Sequence, residues 1–272
     1  MSEIKGVSFI GGGNMANAII DAIITSGILS ADKICVYEPA QEKQKSFAEK
    51  GVTLAHSNSE LVQREDDVLF VAVKPQVFDS VLSSISEKFK NKALVSIAAG
   101  ISVSHIKQLL SCDVPIIRAL PNTPMLTLQG MTVLAEAEDV PKDVFEFVKN
   151  IFSSAGEVVV LPESKINEAI PLSSSSPAFF FRMIEAMARA GEKYGISYED
   201  AFRLSAVAMQ GSASYALTSD KAPQELVSQV SSPGGTTVAA LSAFDDFNFE
   251  EFIFEATKRC VDRAYELGNK NQ

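Results

Sequence analysis

The sequence predicts an α/β protein: a parallel, doubly wound sheet in the first part of the chain, then an all-helical second domain. Three observations predict it. Over about the first 160 residues, short β-branched runs alternate with helix-length segments, which is the pattern of strands joined by crossover helices. The strand runs are nearly continuous in apolar residues, as strands covered by helices on both faces must be. Beyond about Leu161 the strand signals stop, and apolar residues recur at spacings of three and four.

The expected strands are Val7–Ile10, Lys33–Tyr37, Val68–Val73, Leu94–Ile97, Pro115–Leu120, Met131–Leu134 and Glu157–Val160, with helices such as Met15–Ser26 and Gln41–Lys50 between the early ones. In the second part, Phe180, Ile184, Met187, Ala188 and Gly191 form one helical stripe. Ser197, with Asp200 three residues on, reads as an N-cap. Phe249, Ile253, Ala256, Cys260, Ala264 and Leu267 line a last helix, with Gly268 as its expected stop. The domains divide as 1–162 and 163–272. The helical stripes exceed what one small bundle buries, so the second domain is expected to be shared between subunits.

Composition narrows the function. The 272 residues carry 24 basic and 34 acidic side chains, a net charge of −10, which argues against a nucleic-acid partner. No apolar run is long enough to span a membrane, and the start lacks the features of a secretory signal. With Cys35, Cys112 and Cys260 read as packed thiols, a cytoplasmic protein is expected. His56 and His105 read as ordinary polar residues, and neither a nucleophilic triad nor metal-ligand spacing stands out.

The first motif lies in "VSFIGGGNMANAII". Gly11, Gly13 and Ala16 have the G-x-G-x-x-G/A spacing, directly after a strand and at the opening of a helix. The first glycine permits a tight turn, the second lets backbone approach a pyrophosphate, and the alanine lets helix and strand pack closely. The phosphates then face free N–H groups at the helix start. Glu38 ends the second strand, 27 residues after Gly11. A carboxylate there accepts hydrogen bonds from a ribose diol and repels a 2′-phosphate, so the expected cofactor is NADPH or NADH with a lean to NADH. In "AVKPQ", Lys74 and Pro75 leave the next strand at the carboxyl end of the sheet, where ligands bind in such folds.

The second motif is "SSPGGTT", Ser231–Thr237, which feeds an apolar helix beginning near Thr237. A Gly-Gly turn at a helix start exposes N–H groups, and hydroxyls stand among them. That suits a small carboxylate. Plain N-capping by Thr236 or Thr237 is the simpler alternative.

In order along the chain stand "FIGGGNMA", "AVKPQ", "SIAAGI", "RALPNTP", "SSSSPAFFF" and "SSPGGTT". From about residue 4 to 267 this resembles the pyrroline-5-carboxylate reductases. The resemblance implies an N-terminal Rossmann domain and an all-helical C-terminal dimerisation domain, assembled as a homodimer and often as a pentamer of dimers. It implies hydride transfer from NADPH or NADH to the C=N carbon of the cyclic imino acid 1-pyrroline-5-carboxylate, giving L-proline. By the same resemblance Gly11, Gly12, Gly13, Asn14, Met15 and Ala16 hold the pyrophosphate, and Asn58 contacts the adenosine side. Ala72, Val73, Lys74, Pro75 and Ala99 line the cofactor crevice. Ser232, Gly234, Gly235, Thr236, Thr237 and Ser175 hold the substrate, with the Thr237 hydroxyl beside the ring nitrogen as the catalytic group.

The chain departs from the family pattern in two places. Serines stand at 174 and 176 where glycines are usual, which implies strain or a different loop if those glycines had positive φ. Ala222-Pro223-Gln224 stands where His-Pro-Gly is common. Two other readings compete: a reductase of another cyclic imine or a β-hydroxyacid dehydrogenase, for which Lys165 and Asn167 are the candidates, and a non-catalytic dinucleotide-binding paralogue.

Overall fold

The computed structural model describes residues 4–89, 92–110 and 112–269. The described residues fall into two packed units, one within Met1–Pro177 and Cys260–Gln272, the other Ala178–Arg259.

The first unit is built on a sheet that has eight strands among the described residues, in the order β3-β2-β1-β4-β5-β6-β7-β8. Its elements run β1 (Val7–Ile10), α1 (Asn14–Thr25), β2 (Ile34–Tyr37), α2 (Gln41–Glu49), β3 (Thr53–Leu54), α3 (Asn58–Gln63), β4 (Val68–Val71), α4 (Pro75–Ile85), β5 (Ala93–Ser96), α5 (Val103–Leu110) and β6 (Ile116–Leu120). They continue with β7 (Gly130–Ala135), α6 (Lys142–Ser153), β8 (Gly156–Leu161) and the short α7 (Ile166–Ala169). The predicted strands are present with ends shifted by one or two residues, and the two-residue β3 was not foreseen. Two residues carry too little apolar pattern to be read as a strand.

Strands β1 to β6 pair in parallel, and β7 turns back antiparallel to β6. The described sheet is parallel, as expected, except at this one pairing. Only a 3-10 turn at Thr123–Thr127 separates β6 from β7, and a parallel return needs a crossover of a dozen or more residues.

Both sheet faces are covered. On one, Val7, Phe9, Ile34, Val36 and Phe70 pack against Ile19, Ile20 and Ile23 of α1 and Ile151 and Phe152 of α6. On the other, Ile10, Leu69, Val71 and Leu94 meet Leu61 of α3, Phe78 and Leu82 of α4 and Ile106 of α5. This double cover explains the unbroken apolar runs. Cys35 lies fully buried in β2, where burial pushes its thiol up to about 11, as befits a packed thiol and not a nucleophile.

The second unit is helical: α8 (Ser176–Lys193), α9 (Tyr198–Thr218), α10 (Pro223–Gln229) and α11 (Thr236–Asp246), then α12 (Phe249–Asn269), whose last stretch belongs to the first unit. Ser197 caps α9, its Oγ accepting the Asp200 N–H at 3.1 Å. The expected stop at Gly268 is corrected, because α12 runs on through Asn269. A Cβ on Gly268 would lie 2.6 Å from the Gly100 carbonyl, so this glycine serves a close backbone approach instead of ending the helix.

Candidate active site

The reversal of strand order between β1 and β4 places the glycine turn and Ala72–Pro75 side by side at the carboxyl ends of the strands. Gly11 has φ +93°, and its N–H donates to the Tyr37 carbonyl at 2.9 Å. A Cβ there would lie 2.8 Å from the Ala72 carbonyl, so Gly11 is required by both conformation and packing. Gly12 is enclosed by Phe47 and Glu38, and Ala16 is fully buried. Gly13 differs: a Cβ there would meet nothing within 4 Å. Gly13 is the N-cap of α1, with no side-chain cap bond, and Asn14 and the half-buried Met15 follow it. The helix entrance is therefore open and its first N–H groups lack a side-chain acceptor, which fits a pyrophosphate.

Glu38 is buried, not turned outward. Its Oε2 accepts the Gly12 N–H at 2.8 Å and its Oε1 the Ala40 N–H at 3.0 Å. The carboxylate is thus fixed beside the glycine turn. Asn58 opens α3, and its Oδ1 is buried with no hydrogen-bond partner among the described residues. Lys74 is exposed as the N-cap of α4, Pro75 is that helix's first residue, Val73 touches the turn at Gly11, and Ala99 packs among Leu120, Ala135 and Ala264.

The serine loop lies in the same unit. Ser175 N–H donates to the Ile170 carbonyl at 2.9 Å, and its hydroxyl receives the Cys260 thiol at 3.4 Å. Among the described residues only Leu128 and Asn248 are non-glycine positions with positive φ, so neither Ser174 nor Ser176 is strained. Ser176 Oγ donates to the Leu172 carbonyl at 3.0 Å, while Ser174 Oγ is buried without a partner among the described residues.

A residue left unassigned at the sequence level holds this loop. Buried Asn122 donates from Nδ2 to the Ser173 carbonyl at 3.0 Å and accepts the Met131 N–H at 2.9 Å. An asparagine flanked by prolines after a strand was the available signal. Nearby, buried Arg118 reaches Glu163 and Asn167, each at 3.3 Å, and burial holds its guanidinium below the usual arginine range against the pull of Glu163. Asn167 is thereby engaged, and Lys165 is exposed.

In the second unit the "SSPGGTT" stretch forms the uncapped start of α11. The N-cap is Gly235, with no side-chain cap bond, so capping by Thr236 or Thr237 does not occur. Gly234 has φ +71° in open space, and Gly235 N–H donates to the Ser232 carbonyl at 2.9 Å. Ser232 and Thr236 are exposed and Thr237 is half-buried.

Residues 163–267 match the family model described as pyrroline-5-carboxylate reductase dimerisation, and residues 6–100 match one described as NADP oxidoreductase, coenzyme F420-dependent. The chain is 38% identical to the pyrroline-5-carboxylate reductase of Escherichia coli (strain K12), over 97% of this chain and 98% of that one. The chain belongs to the pyrroline-5-carboxylate reductase family. The reductase of Corynebacterium melassecola is 32% identical over 96% of this chain and 98% of its own length. Among solved structures, the Plasmodium falciparum pyrroline carboxylate reductase with NADP bound superposes with TM-score 0.89 at 26% identity, covering 98% of this chain and 99% of that one. The Coxiella burnetii family member gives 0.88 at 32% identity, covering 97% and 99%. Both family-typical regions, the dinucleotide turn and the α11 entrance, therefore fall inside matched stretches.

Proposed function

We propose that this chain is an NAD(P)H-dependent oxidoreductase that reduces 1-pyrroline-5-carboxylate to L-proline. The observation that carries the reading is the α11 entrance. It presents helix N–H groups and the hydroxyls of Ser232, Thr236 and Thr237 without using any of them as a cap. The substrate is a small cyclic imine bearing a carboxylate, and a helix N-terminus favours that negative charge.

NAD(P)H supplies the hydride that forms the new C–H bond at the imine carbon. The other tasks fall to the chain. Gly11, Gly12, Gly13, Asn14, Met15 and Ala16 receive the pyrophosphate, Asn58 the adenosine side, and Ala72, Val73, Lys74, Pro75 and Ala99 border the crevice. Gly234 and Gly235 let the α11 N–H groups face the carboxylate. The Thr237 hydroxyl stands by the ring nitrogen, which takes one proton as the C=N bond becomes a C–N single bond. An imine is readily protonated from water, so orientation matters more than a strong acid.

The finer cofactor choice is NADH. Fixed by two backbone N–H groups, the Glu38 carboxylate can accept a ribose hydroxyl but not turn away from a 2′-phosphate. Assembly is as a homodimer through the helical domain, with a pentamer of dimers as the larger form. Supporting this, Leu204, Val207, Leu217 and Phe254 all stand exposed in the second unit. No described helix is long and apolar enough to cross a membrane, and the expected location is the cytoplasm.

The test is the initial rate of NADH and NADPH oxidation with pyrroline-5-carboxylate at matched cofactor concentrations. Substrate-dependent turnover with a higher kcat/KM for NADH is expected. A cofactor bound without turnover would overturn the reductase reading in favour of a non-catalytic paralogue.

A further inference from the structure

The opposite end of the sheet holds a feature that the reductase chemistry does not use. The segments before β1, β4 and β5 border an open cleft of about 560 Å³. Strands here rise about 3.3 Å per residue, so Lys5, before β1, is roughly 20 Å along the chain from the glycine turn.

The cleft's acidic and basic residues are equal in number but not in how they are engaged. Asp66 is buried and accepts both the Ser8 hydroxyl and Arg64 Nε. Asp67 accepts the Lys5 backbone N–H. Glu65 is exposed and lies 3.6 Å from Lys5 Nζ, and Glu87 is exposed to water. The other three cations are less well served. Lys92 is only 3% exposed, and its Nζ has no hydrogen-bond partner among the described residues. Among the described residues Lys88 reaches only a neutral hydroxyl, that of Ser59, at 3.2 Å. Arg64 makes one ion pair and has further N–H groups to give. An unpaired buried ammonium is costly, and burial holds the Lys92 amine below the usual lysine range, with Asp66 opposing and Arg64 reinforcing. Lys92 also borders a smaller cleft of about 270 Å³, but among the described residues that line it no second cation joins Lys92, while Asp67 and Asp113 do.

We propose that the larger cleft is a second ligand site, which receives a phosphate group through Lys92, Arg64 and Lys88. The flexible lysine stem lets the Lys92 amine turn from its shielded position to the anion, and the planar Arg64 fork keeps Asp66 while offering its outer N–H groups. The site is separate from the dinucleotide turn, so a phosphate-bearing metabolite bound there does not compete with the cofactor.

The experiment is equilibrium dialysis of the full-length protein against labelled inorganic phosphate, at constant ionic strength in chloride, with and without saturating NADPH. The expected result is one saturable phosphate per chain that persists with NADPH, weakened about tenfold by Lys92→Met and several-fold by Lys88→Gln. Lys88 is exposed, so its variant serves if the Lys92 variant fails to fold. Matched acetate is expected not to displace the phosphate, and displacement would reassign the site to carboxylates and overturn the phosphate claim. Phosphate that NADPH removes and that is indifferent to both variants belongs to the glycine turn and overturns the proposal. So does the absence of saturable binding.

Discussion

Two helix entrances, those of α1 and α11, share one local chemistry and differ in everything around them. Each follows a glycine of positive φ, each has a glycine N-cap, and neither has a side-chain cap bond. At α1 the turn is boxed in: Gly11 lies against the Ala72 carbonyl and Gly12 against Phe47 and Glu38. At α11 only the turn's own Ser232 crowds Gly235, and nothing among the described residues lies within 4 Å of a Cβ on Gly234. The first entrance is completed by strands of its own unit. The second belongs to a unit whose apolar side chains remain largely exposed, and in which only Ala188, Ala201 and Ser205 are buried among the described residues. Uncapped helix starts thus supply anion binding in general, while the surroundings decide whether that site is rigid and what reaches it.

Changing the boxed glycine breaks the comparison most severely. Gly11→Ala needs a left-handed alanine and brings Cβ 2.8 Å from a carbonyl oxygen, a loss of ~2–4 kcal/mol of stability together with dinucleotide binding. Chemical denaturation and cofactor titration measure both, and a variant of normal stability would show that the turn relaxes. On the other side, Thr237→Ala is expected to lower kcat by at least about tenfold, or 1.4 kcal/mol, with cofactor affinity unchanged. An equal loss of cofactor affinity would assign Thr237 a different role.

Glu38→Ser sharpens the first entrance alone. It is expected to move the ratio of kcat/KM for NADPH over NADH upward by about tenfold, and to cost ~1–2 kcal/mol because the Gly12 N–H loses its acceptor. An unchanged ratio would remove the case for NADH. The smallest structural effect falls at the open position. Gly13→Ala meets no atom within 4 Å and should shift stability by no more than ~1 kcal/mol, while weakening the dinucleotide by crowding its pyrophosphate. Stability and affinity falling together would show that Gly13 is structural as well.

Much of the first unit was legible in the sequence because its signals are local. Continuous runs such as Val68–Val71 carry their own period, and the Gly11–Ala16 spacing carries its own turn. The misses had two sources. The antiparallel β7 follows from the brevity of the Thr123–Thr127 connection, which is a length and not a residue pattern. The others were non-local. Gly268 reads as a stop until the Gly100 backbone is seen against it. Asn122 gains its task only when Ser173, 51 residues away, arrives at its side chain. The serines at 174 and 176 implied possible strain, yet φ is set by the fold around them and is not positive.

By itself, then, the sequence determined the α/β class, the order of strands and helices, and the two glycine-bearing stretches, since periodicity and turn chemistry act over a few residues. Tertiary structure alone decided that Glu38 faces the glycine turn instead of solvent, that the α11 threonines do not cap their helix, and that Lys92 is buried without an acceptor among the described residues. Each of these depends on which backbone donors and packed side chains surround a group after the chain has closed, and burial, not residue type, sets the cost of leaving a polar atom unpaired.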